Sequence, residues 1–441
     1  MSYSPQTVET LENSSMETTA KRPRSLQETG LKEELLLSLL LKQILKMGPT
    51  DLADLVREVA LPGVVLEPLI HYLRREAQLE VRSSTDGGVR YGLTERGRTA
   101  ALDAVMRDGY TGPAPVPLEA YLNIVGWQSS SRRQITAEQL RSKFSDIVIE
   151  QHILDRLGPA LHSGRSMMVY GSPGSGKSFI SRCLGRVLDD PVLVPYAVQA
   201  GGITVRVFDP EYHRPRLEAN AREARIDSGH DPRYRLCDRP VVSAGGELTL
   251  EMLELHYDPA SCEYRAPLQM RANNGLLIID DLGRQRVPPE AILNRWIVPM
   301  EEGSDYLHSH GGAQFVVPFD VILLFSTNYP PTELADEAFL RRIGYKVRFG
   351  ELSERAYTAI WQQVCEAEGL DFASDVVRYT VEHLHRLRDV PLLACHPRDL
   401  IGLVVDRCRY EGRTPELSPE AVEAAWDNYF VTGESRGMTH D

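Results

Sequence analysis

The sequence predicts an α/β fold with a parallel sheet, from two strand patterns and one strand–loop–helix pattern. LLIIDD, residues 276–281, and VILLFSTN, residues 321–328, are short apolar runs of the kind that form buried parallel strands. SMMVYGSPGSGKSFISRCLGRVL, residues 166–188, indicates a strand, a glycine-rich loop and a helix. Two carboxylates at the end of a buried strand are costly unless a positive group lies opposite. A site at the strand ends is therefore predicted.

Composition and charge are those of an ordinary soluble protein. The 441 residues are enough for two to three domains. Hydrophobic residues make up 42% and charged residues 25%, as in typical globular domains. The net charge of −13 argues against a general coat for nucleic acid, although it leaves room for a local basic site.

The cysteines are widely scattered and show neither a CxxC pair nor a His/Cys spacing typical of metal ligands. We expect free thiols, which indicate a reducing compartment. No secretory signal is apparent, and the longest apolar run, at 35–41, is too short to span a bilayer. The expectation is a cytoplasmic protein without membrane insertion.

Changes in composition along the chain predict its domain organisation. The N-terminal residues are rich in Ser, Thr, Glu and Gln. DGYTGPAPVPLEAY is dense in turn formers, and the pattern near the C-terminus is helical. The predicted segments are a disordered tail 1–28, a winged-helix-like domain 29–108, a linker 109–122, an α/β core 123–350 with an insert at about 200–270, a helical lid 351–432 and a tail 433–441.

The segment 29–108 has three helix patterns, a hairpin signal at Asp86-Gly87-Gly88 and a closing helix. This order is typical of winged-helix domains, and RYGLTERGR resembles many of them. One interpretation is DNA binding through the third helix and the wing; the other is a protein-interaction or packing module. Basic and acidic residues are nearly balanced here. The arginines that could form a basic patch are Arg74, Arg75, Arg82 and Arg90.

The glycine-rich loop has the chemistry of a phosphate cradle. It consists of Gly171, Ser172, Pro173, Gly174, Ser175, Gly176, Lys177 and Ser178. The glycines let backbone N–H groups turn toward phosphate oxygens, and the helix that follows adds its positive N-terminus. Lys177 would neutralise the β and γ phosphates, and Ser178 would ligate Mg²⁺. The alternative is a glycine-rich turn without a ligand.

The acidic doublet fits the same chemistry. Asp280 would hold the Mg²⁺ of the nucleotide, and Asp281 would orient or deprotonate the attacking water. If the strand 321–328 lies between the strand of the cradle and the strand that ends in Asp280, Asn328 comes near the γ-phosphate and helps to position that water. The alternatives are two solvated acids in a turn and, for Asn328, an ordinary turn residue.

Three arginines follow in the sequence. Arg341 and Arg342 end a short predicted helix, where they form a solvated face or act as fingers in the nucleotide site of a neighbouring subunit. Arg398 lies next to Pro397 near a helix start, from which a helical lid could direct it at the nucleotide.

The order of these elements resembles the AAA+ ATPase family over about residues 140–432. The resemblance implies a P-loop NTPase sheet with a C-terminal helical lid, with ATP and Mg²⁺ bound between subunits of a ring, usually a hexamer. It implies that SDIVIEQHIL lines the adenine pocket. The implied assignments are Walker A for 171–178, Walker B for Asp280 and Asp281, sensor 1 for Asn328, fingers for Arg341 and Arg342, sensor 2 for Arg398, and adenine contacts for Ile147 and Val148.

The sequence departs from the family pattern in three respects. Many members have Glu at the position of Asp281, although LLIIDDLG resembles the equivalent stretch of bacterial helicase-loader and transposition-helper ATPases. Lys177 and Asp280 are unusually far apart, which places an insert at about 200–270. No aromatic–hydrophobic–Gly pore loop is evident, so threading of a substrate is not implied.

These observations favour an ATP-hydrolysing machine that remodels a protein or nucleoprotein client as a ring. Two alternatives remain at this point. One is an ATP-switched DNA-binding regulator or loader that uses the winged-helix-like domain. The other is a scaffold that ATP assembles without hydrolysis.

Overall fold

A computed structural model describes residues 20–83, 88–216 and 230–430. The chain forms two compact units. The first consists of Met1–Arg133, Leu188–Ile279 and Arg284–Leu323. The second consists of Gln134–Val187, Asp280–Gly283 and Leu324–Asp441. The turn at Asp86-Gly87, the tail 433–441 and most of the polar stretch 219–235 lie outside the described residues.

The elements are numbered in chain order. The strands are β1 Leu79–Ser83, β2 Val89–Leu93, β3 Val116–Pro117, β4 Met167–Gly171, β5 Pro191–Pro195, β6 Ala197–Ala200, β7 Ile203–Arg206, β8 Tyr234–Asp238, β9 Val241–Ala244, β10 His256–Asp258, β11 Glu263–Arg265, β12 Leu276–Ile279, β13 Ser304–His308, β14 Gln314–Pro318, β15 Ile322–Thr327 and β16 Tyr345–Phe349. The α-helices are α1 Glu33–Met47, α2 Leu52–Val59, α3 Gly63–Arg75, α4 Glu95–Arg107, α5 Leu118–Trp127, α6 Ala137–Lys143, α7 Gln151–Ser163, α8 Lys177–Cys183, α9 Leu268–Arg271, α10 Pro289–Glu302, α11 Pro331–Leu334, α12 Glu337–Arg342, α13 Glu354–Glu368, α14 Ser374–Tyr379, α15 Cys395–Tyr410 and α16 Pro419–Tyr429.

Parallel strands form the centre of the fold, which confirms the predicted α/β class. In the second unit, β4 lies between β15 and β16 and is parallel to both, with Met167 opposite Leu324 and Tyr345. In the first unit, β12 is parallel to β9, with Leu276 opposite Val241. Every residue of β12 and β15 is buried, as their continuous apolar runs predicted.

The N-terminal part of the first unit contains α1, α2, α3, the hairpin β1–β2 and α4, in the predicted order. The hairpin is antiparallel, with Leu79 opposite Leu93. Asp51 caps α2 by accepting a hydrogen bond from the Asp54 N–H at 2.8 Å. The assignment as a winged-helix-like domain stays a prediction.

The segment predicted to be a linker, 109–122, contributes buried residues to the first unit. Tyr110, Ala114 and Val116 are buried, and Val116 of β3 pairs with Val198 of β6 in parallel. The strand order of this sheet is β10-β11-β7-β6-β3, so Pro117 lies on an edge strand, where a missing N–H is tolerated.

Residues 20–28, predicted to be part of a tail, also contribute a buried residue to the first unit. Ala20 is buried in the same core as Val116, and its carbonyl accepts a hydrogen bond from the Asp231 N–H at 2.8 Å. Thr29 is fully buried, and its carbonyl accepts a hydrogen bond from Arg233 at 2.9 Å. Residues 1–19 lie outside the described residues.

The second unit contains the helical segment that was predicted to be a lid. Helices α13 to α16, with the π-helix Thr380–Arg386, enclose an apolar core around Tyr357, Trp361 and Trp426. All six cysteines are free thiols. Among the described residues, no helix combines the length and the apolar character needed to cross a membrane.

We predict that Gly109→Ala destabilises the protein. A Cβ at Gly109 would lie 1.6 Å from the Ser261 carbonyl oxygen, so the backbone must shift. Overpacking of this kind costs about 1–3 kcal/mol, which should lower the thermal unfolding temperature by several degrees. Gly126→Ala on α5 is the control, because a Cβ there meets nothing within 4 Å. Equal unfolding temperatures for Gly109→Ala and wild type would contradict the described packing.

Candidate functional site

The glycine-rich loop connects β4 to α8 and has a backbone that requires glycine. Gly171 has φ +145° and Gly176 has φ +90°, both outside the region that other residues favour. A Cβ at Gly171 would lie 1.9 Å from the Phe349 carbonyl oxygen. Gly176 is the N-cap of α8, so the first N–H groups of that helix border the loop.

Lys177 folds back into this loop. Its ammonium donates hydrogen bonds to the carbonyls of Gly171 and Ser172, at 2.9 and 2.8 Å, and to Asn328 Oδ1 at 2.9 Å. Burial lowers the pKa of Lys177, and the nearby carboxylates of Asp281 and Asp280 oppose that effect. A buried cation therefore lies within the loop.

Ser178 and Asp280 lie next to each other at the start of α8 and the end of β12. The Ser178 hydroxyl donates a hydrogen bond to Asp280 Oδ1 at 2.8 Å. A hydroxyl beside a carboxylate offers oxygen ligands of the type that Mg²⁺ prefers. The two residues predicted to hold the metal are thus in direct contact.

Asn328 connects the lysine to the second aspartate. While Asn328 Oδ1 accepts from Lys177, Asn328 Nδ2 donates to Asp281 Oδ1 at 2.8 Å. Asp281 has φ +51°, a left-handed conformation that is unusual for a residue other than glycine. Its own N–H donates to Asp280 Oδ1 at 3.1 Å. Asp281 and Asn328, both in the second unit, are therefore joined by a side-chain hydrogen bond.

The start of α15 contacts the loop through Cys395, a residue that the sequence did not single out. The Cys395 N–H donates to the Gly174 carbonyl at 3.0 Å, and a Cβ on Gly174 would lie 2.5 Å from Cys395 Sγ. Nothing in the sequence distinguished Cys395 from the other cysteines. Arg398 is exposed in the first turn of the same helix.

The segment predicted to contact adenine is attached to α13. Ile147 and Val148 are half-buried. On one side of them, the Asp146 carbonyl accepts a hydrogen bond from Gln363 at 3.1 Å. On the other side, Glu150 accepts from the Ser353 hydroxyl at 2.7 Å and from its N–H at 3.0 Å. These hydrogen bonds from Ser353 lower the pKa of Glu150.

Arg341 and Arg342 lie at the C-terminal end of α12. Arg341 pairs with Glu337 on the same helix at 2.9 Å, and 74% of its side chain is exposed. Arg342 is half-buried and donates to the Ala338 carbonyl at 2.7 Å. The structure therefore joins Lys177, Ser178 and the polar strand ends by hydrogen bonds, whereas Arg341 extends into solvent.

One segment of this chain matches a known family model. A family model described as a domain of unknown function, DUF8689, matches residues 353–428. This match covers α13 to α16 and less than half of the chain. No curated protein matches the sequence.

Several solved structures are similar to the chain at low identity. NtrX from Brucella abortus in complex with ADP is 13% identical, with 77% of this chain and 67% of that chain covered and a TM-score of 0.39. A RuvB variant from Thermotoga maritima is 13% identical, with coverage of 66% and 73% and a TM-score of 0.38. Domain III of the Thermotoga maritima replication initiation protein DnaA is 12% identical, with coverage of 66% and 97% and a TM-score of 0.36.

This chain spans 55% of the length of another Brucella abortus NtrX structure. Similarity at these identities and TM-scores carries no weight for function. The function has to be inferred from the contacts within the site.

We predict that Gly174→Ala weakens the binding of adenine nucleotide. Gly174 has φ +81°, and alanine in such a left-handed conformation costs about 1–2 kcal/mol. Relief of that strain should move the loop and weaken binding roughly tenfold, since about 1.4 kcal/mol corresponds to a factor of ten. Titration of a fluorescent ATP analogue measures the change.

Gly402→Ala is the matched control for this variant. It lies on α15, and a Cβ there meets nothing within 4 Å. Its affinity should equal that of the wild type. Unchanged affinity of Gly174→Ala would argue against this loop as the binding site.

Proposed function

We propose that this protein binds ATP on the loop 171–178 and hydrolyses it. The observation that carries the proposal is the set of hydrogen bonds in which Asn328 links Lys177 to Asp281, beside the Ser178–Asp280 pair. Phosphoryl transfer to water requires a buried cation, two oxygen atoms that can bind a metal ion, a carboxylate and an amide.

The loop fits a bound triphosphate. In the described structure, backbone carbonyls of Gly171 and Ser172 satisfy the Lys177 ammonium, and phosphate oxygens can replace them as acceptors. The N-terminal end of α8 and the glycine conformations provide N–H groups for the same oxygens. Ser178 and Asp280 would hold Mg²⁺, which when bound stabilises negative charge on phosphate oxygens.

The remaining groups act on the attacking water. Asp281 accepts its proton as a general base, and Asn328 orients it by hydrogen bonding. Asp281 is one methylene shorter than the Glu found in many AAA+ proteins, and its left-handed backbone is compatible with a different approach to the water. Lys177 stabilises the charge that develops on the transferred phosphoryl group.

Beyond ATP hydrolysis, we propose that the protein is an AAA+ machine that works as a ring-shaped oligomer, and we expect a hexamer. Arg341 or Arg342 then enters the nucleotide site of a neighbouring subunit, for which the exposure of Arg341 is the supporting observation. Arg398 acts from the lid helix α15, and Ile147 and Val148 contact adenine. The client is a protein or nucleoprotein, and the location is the cytoplasm.

We predict distinct defects for three variants. Lys177→Ala should lose nucleotide binding, because no other cation is hydrogen-bonded in this loop among the described residues. Asp281→Asn should bind ATP normally but release phosphate at least about a hundredfold more slowly, since it lacks the general base. Arg341→Ala should bind ATP and hydrolyse it poorly. Phosphate release and nucleotide titration measure these properties.

Mixing Lys177→Ala with Arg341→Ala protein tests action between subunits. Mixed oligomers contain some sites with both an intact loop and an intact arginine, so part of the activity should return. Arg378→Ala, an exposed arginine on α14, is the control and should behave like wild type. No recovery in confirmed mixed oligomers would contradict the finger assignment. ATP-dependent assembly of wild type without phosphate release would instead indicate a scaffold.

A second candidate function is an ATP-switched regulator or loader that contacts DNA. The observation that favours it is the exposed end of α3, where Arg74 and Arg75 lie in the last turn and Arg75 stacks over Tyr72 at 5.5 Å. Cations and an aromatic ring on one helix end suit a nucleic-acid backbone and bases.

This candidate predicts that the full-length protein binds duplex DNA and that binding weakens steeply with salt. Arg74→Glu with Arg75→Glu should reduce affinity at low salt at least about tenfold, because each arginine contributes to phosphate neutralisation. Arg378→Glu with Arg355→Glu, at two exposed arginines outside α3, gives the same change in net charge and is the control. The absence of DNA binding by wild type at low salt, with and without ATP, would exclude this function.

A further inference from the structure

We infer that Thr327 is a positioning residue for the general base Asp281. The inference rests on the proposed ATP hydrolysis and extends it to a residue that does not touch the nucleotide. Thr327 is the last residue of β15 and is fully buried, directly before Asn328. Its role follows from the hydrogen bonds that its hydroxyl makes.

The Thr327 hydroxyl holds the residue that follows the base. Thr327 Oγ1 donates to the Leu282 carbonyl at 2.8 Å. The Leu282 N–H donates to the Ser326 carbonyl, also at 2.8 Å. Both backbone polar groups of Leu282 are therefore bonded to β15. Leu282 is completely buried, so water does not readily replace either partner.

This attachment explains how Asp281 keeps an unfavourable conformation. An L-residue at φ +51° tends to return to negative φ unless its surroundings prevent it. With Leu282 fixed at both polar groups, the peptide after Asp281 has little freedom to rotate. The carboxylate is thereby held where Asn328 Nδ2 contacts it at 2.8 Å.

The same hydroxyl also fixes the segment that carries Asn328. Thr327 Oγ1 accepts a hydrogen bond from the Tyr329 N–H at 3.1 Å, which spans Asn328. One side chain thus sets the position of the base and of the amide that bonds to it. Lys177 and Ser178, which would bind the phosphates and the metal, make none of the hydrogen bonds described for Thr327.

The test compares Thr327→Val with Thr327→Ser in steady-state ATP hydrolysis by the full chain. Valine has nearly the same shape but lacks the hydroxyl, and serine retains it. Thr327→Val should lower kcat roughly 10- to 100-fold, the range expected when a reacting group is misplaced by about 1 Å. Its KM for ATP should stay within about twofold, and Thr327→Ser should stay near wild type.

An Asp281→Asn background distinguishes positioning from a general structural effect. If Thr327 acts through Asp281, the added Thr327→Val change should not reduce the residual rate further, because the two effects are not additive. Thr380→Val is the matched control. Thr380 is equally buried and donates to the Val376 carbonyl at 2.8 Å, but it lies in the helical part of the unit. Its kcat should equal that of wild type.

Several results would overturn the inference. The first is an unchanged kcat in Thr327→Val. The second is a further loss of kcat when Thr327→Val is added to Asp281→Asn, equal to its loss in the wild-type background. The third is a loss of kcat in Thr380→Val equal to that in Thr327→Val. Should Thr327→Val fail to fold, Thr327→Cys replaces it in the test. The thiol is a weak hydrogen-bond donor, so this variant should have a kcat between those of wild type and a variant without a donor. A wild-type kcat for Thr327→Cys would count against the inference. If wild type releases no phosphate, the proposed function fails and this inference with it. If wild type is active and Thr327→Val matches it, only the inference fails.

Discussion

The hydrogen bonds of one buried ammonium group, that of Lys177, determine how the site is organised. Lys177 has three N–H donors and finds three close acceptors, two of them loop carbonyls and the third the Asn328 amide oxygen. A charge at this depth would be prohibitive without such partners. The amide is the critical one, because its nitrogen is then directed toward Asp281. The cation therefore fixes the orientation of a group on a different strand.

This arrangement gives the loop a stable structure of its own. In the proposed function, phosphate oxygens would compete with acceptors that already satisfy Lys177, so binding would exchange one set of hydrogen bonds for another. Such an exchange adds selectivity, because a ligand with fewer or weaker acceptors leaves a buried donor unsatisfied.

The sequence was informative where chemistry lies in side chains at fixed spacing. The glycine–lysine–serine spacing and the acids after β12 could be recognised, because the carboxyl ends of parallel strands meet at one edge of a sheet. Thr327 and Cys395 could not. Their partners are backbone carbonyls of Leu282 and Gly174, which carry no sequence signature and come close only in the folded chain. The roles of all these site residues, those of the three arginines included, stay predictions.

Buried residues in the predicted linker and tail escaped the sequence prediction for a related reason. Turn formers between 109 and 117 suggested a linker, yet Tyr110, Ala114 and Val116 alternate with them and are buried. A proline on an edge strand costs no sheet hydrogen bond, so Pro117 was a poor indicator of an irregular segment. Similarly, a polar composition concealed Ala20, a single small residue with a specific place in the core.

The attachment of Ala20 and Thr29 to the insert has a practical consequence for dissecting the molecule. The carbonyls of these two residues accept hydrogen bonds from Asp231 and Arg233, more than two hundred positions later in the chain. Removal of residues 20–29 would take one acceptor from the buried Arg233 guanidinium and remove Ala20 from the core that contains Val116. A fragment that contains only α1 to α4 would lack the same hydrogen bonds to Asp231 and Arg233. The first unit therefore has to be studied whole.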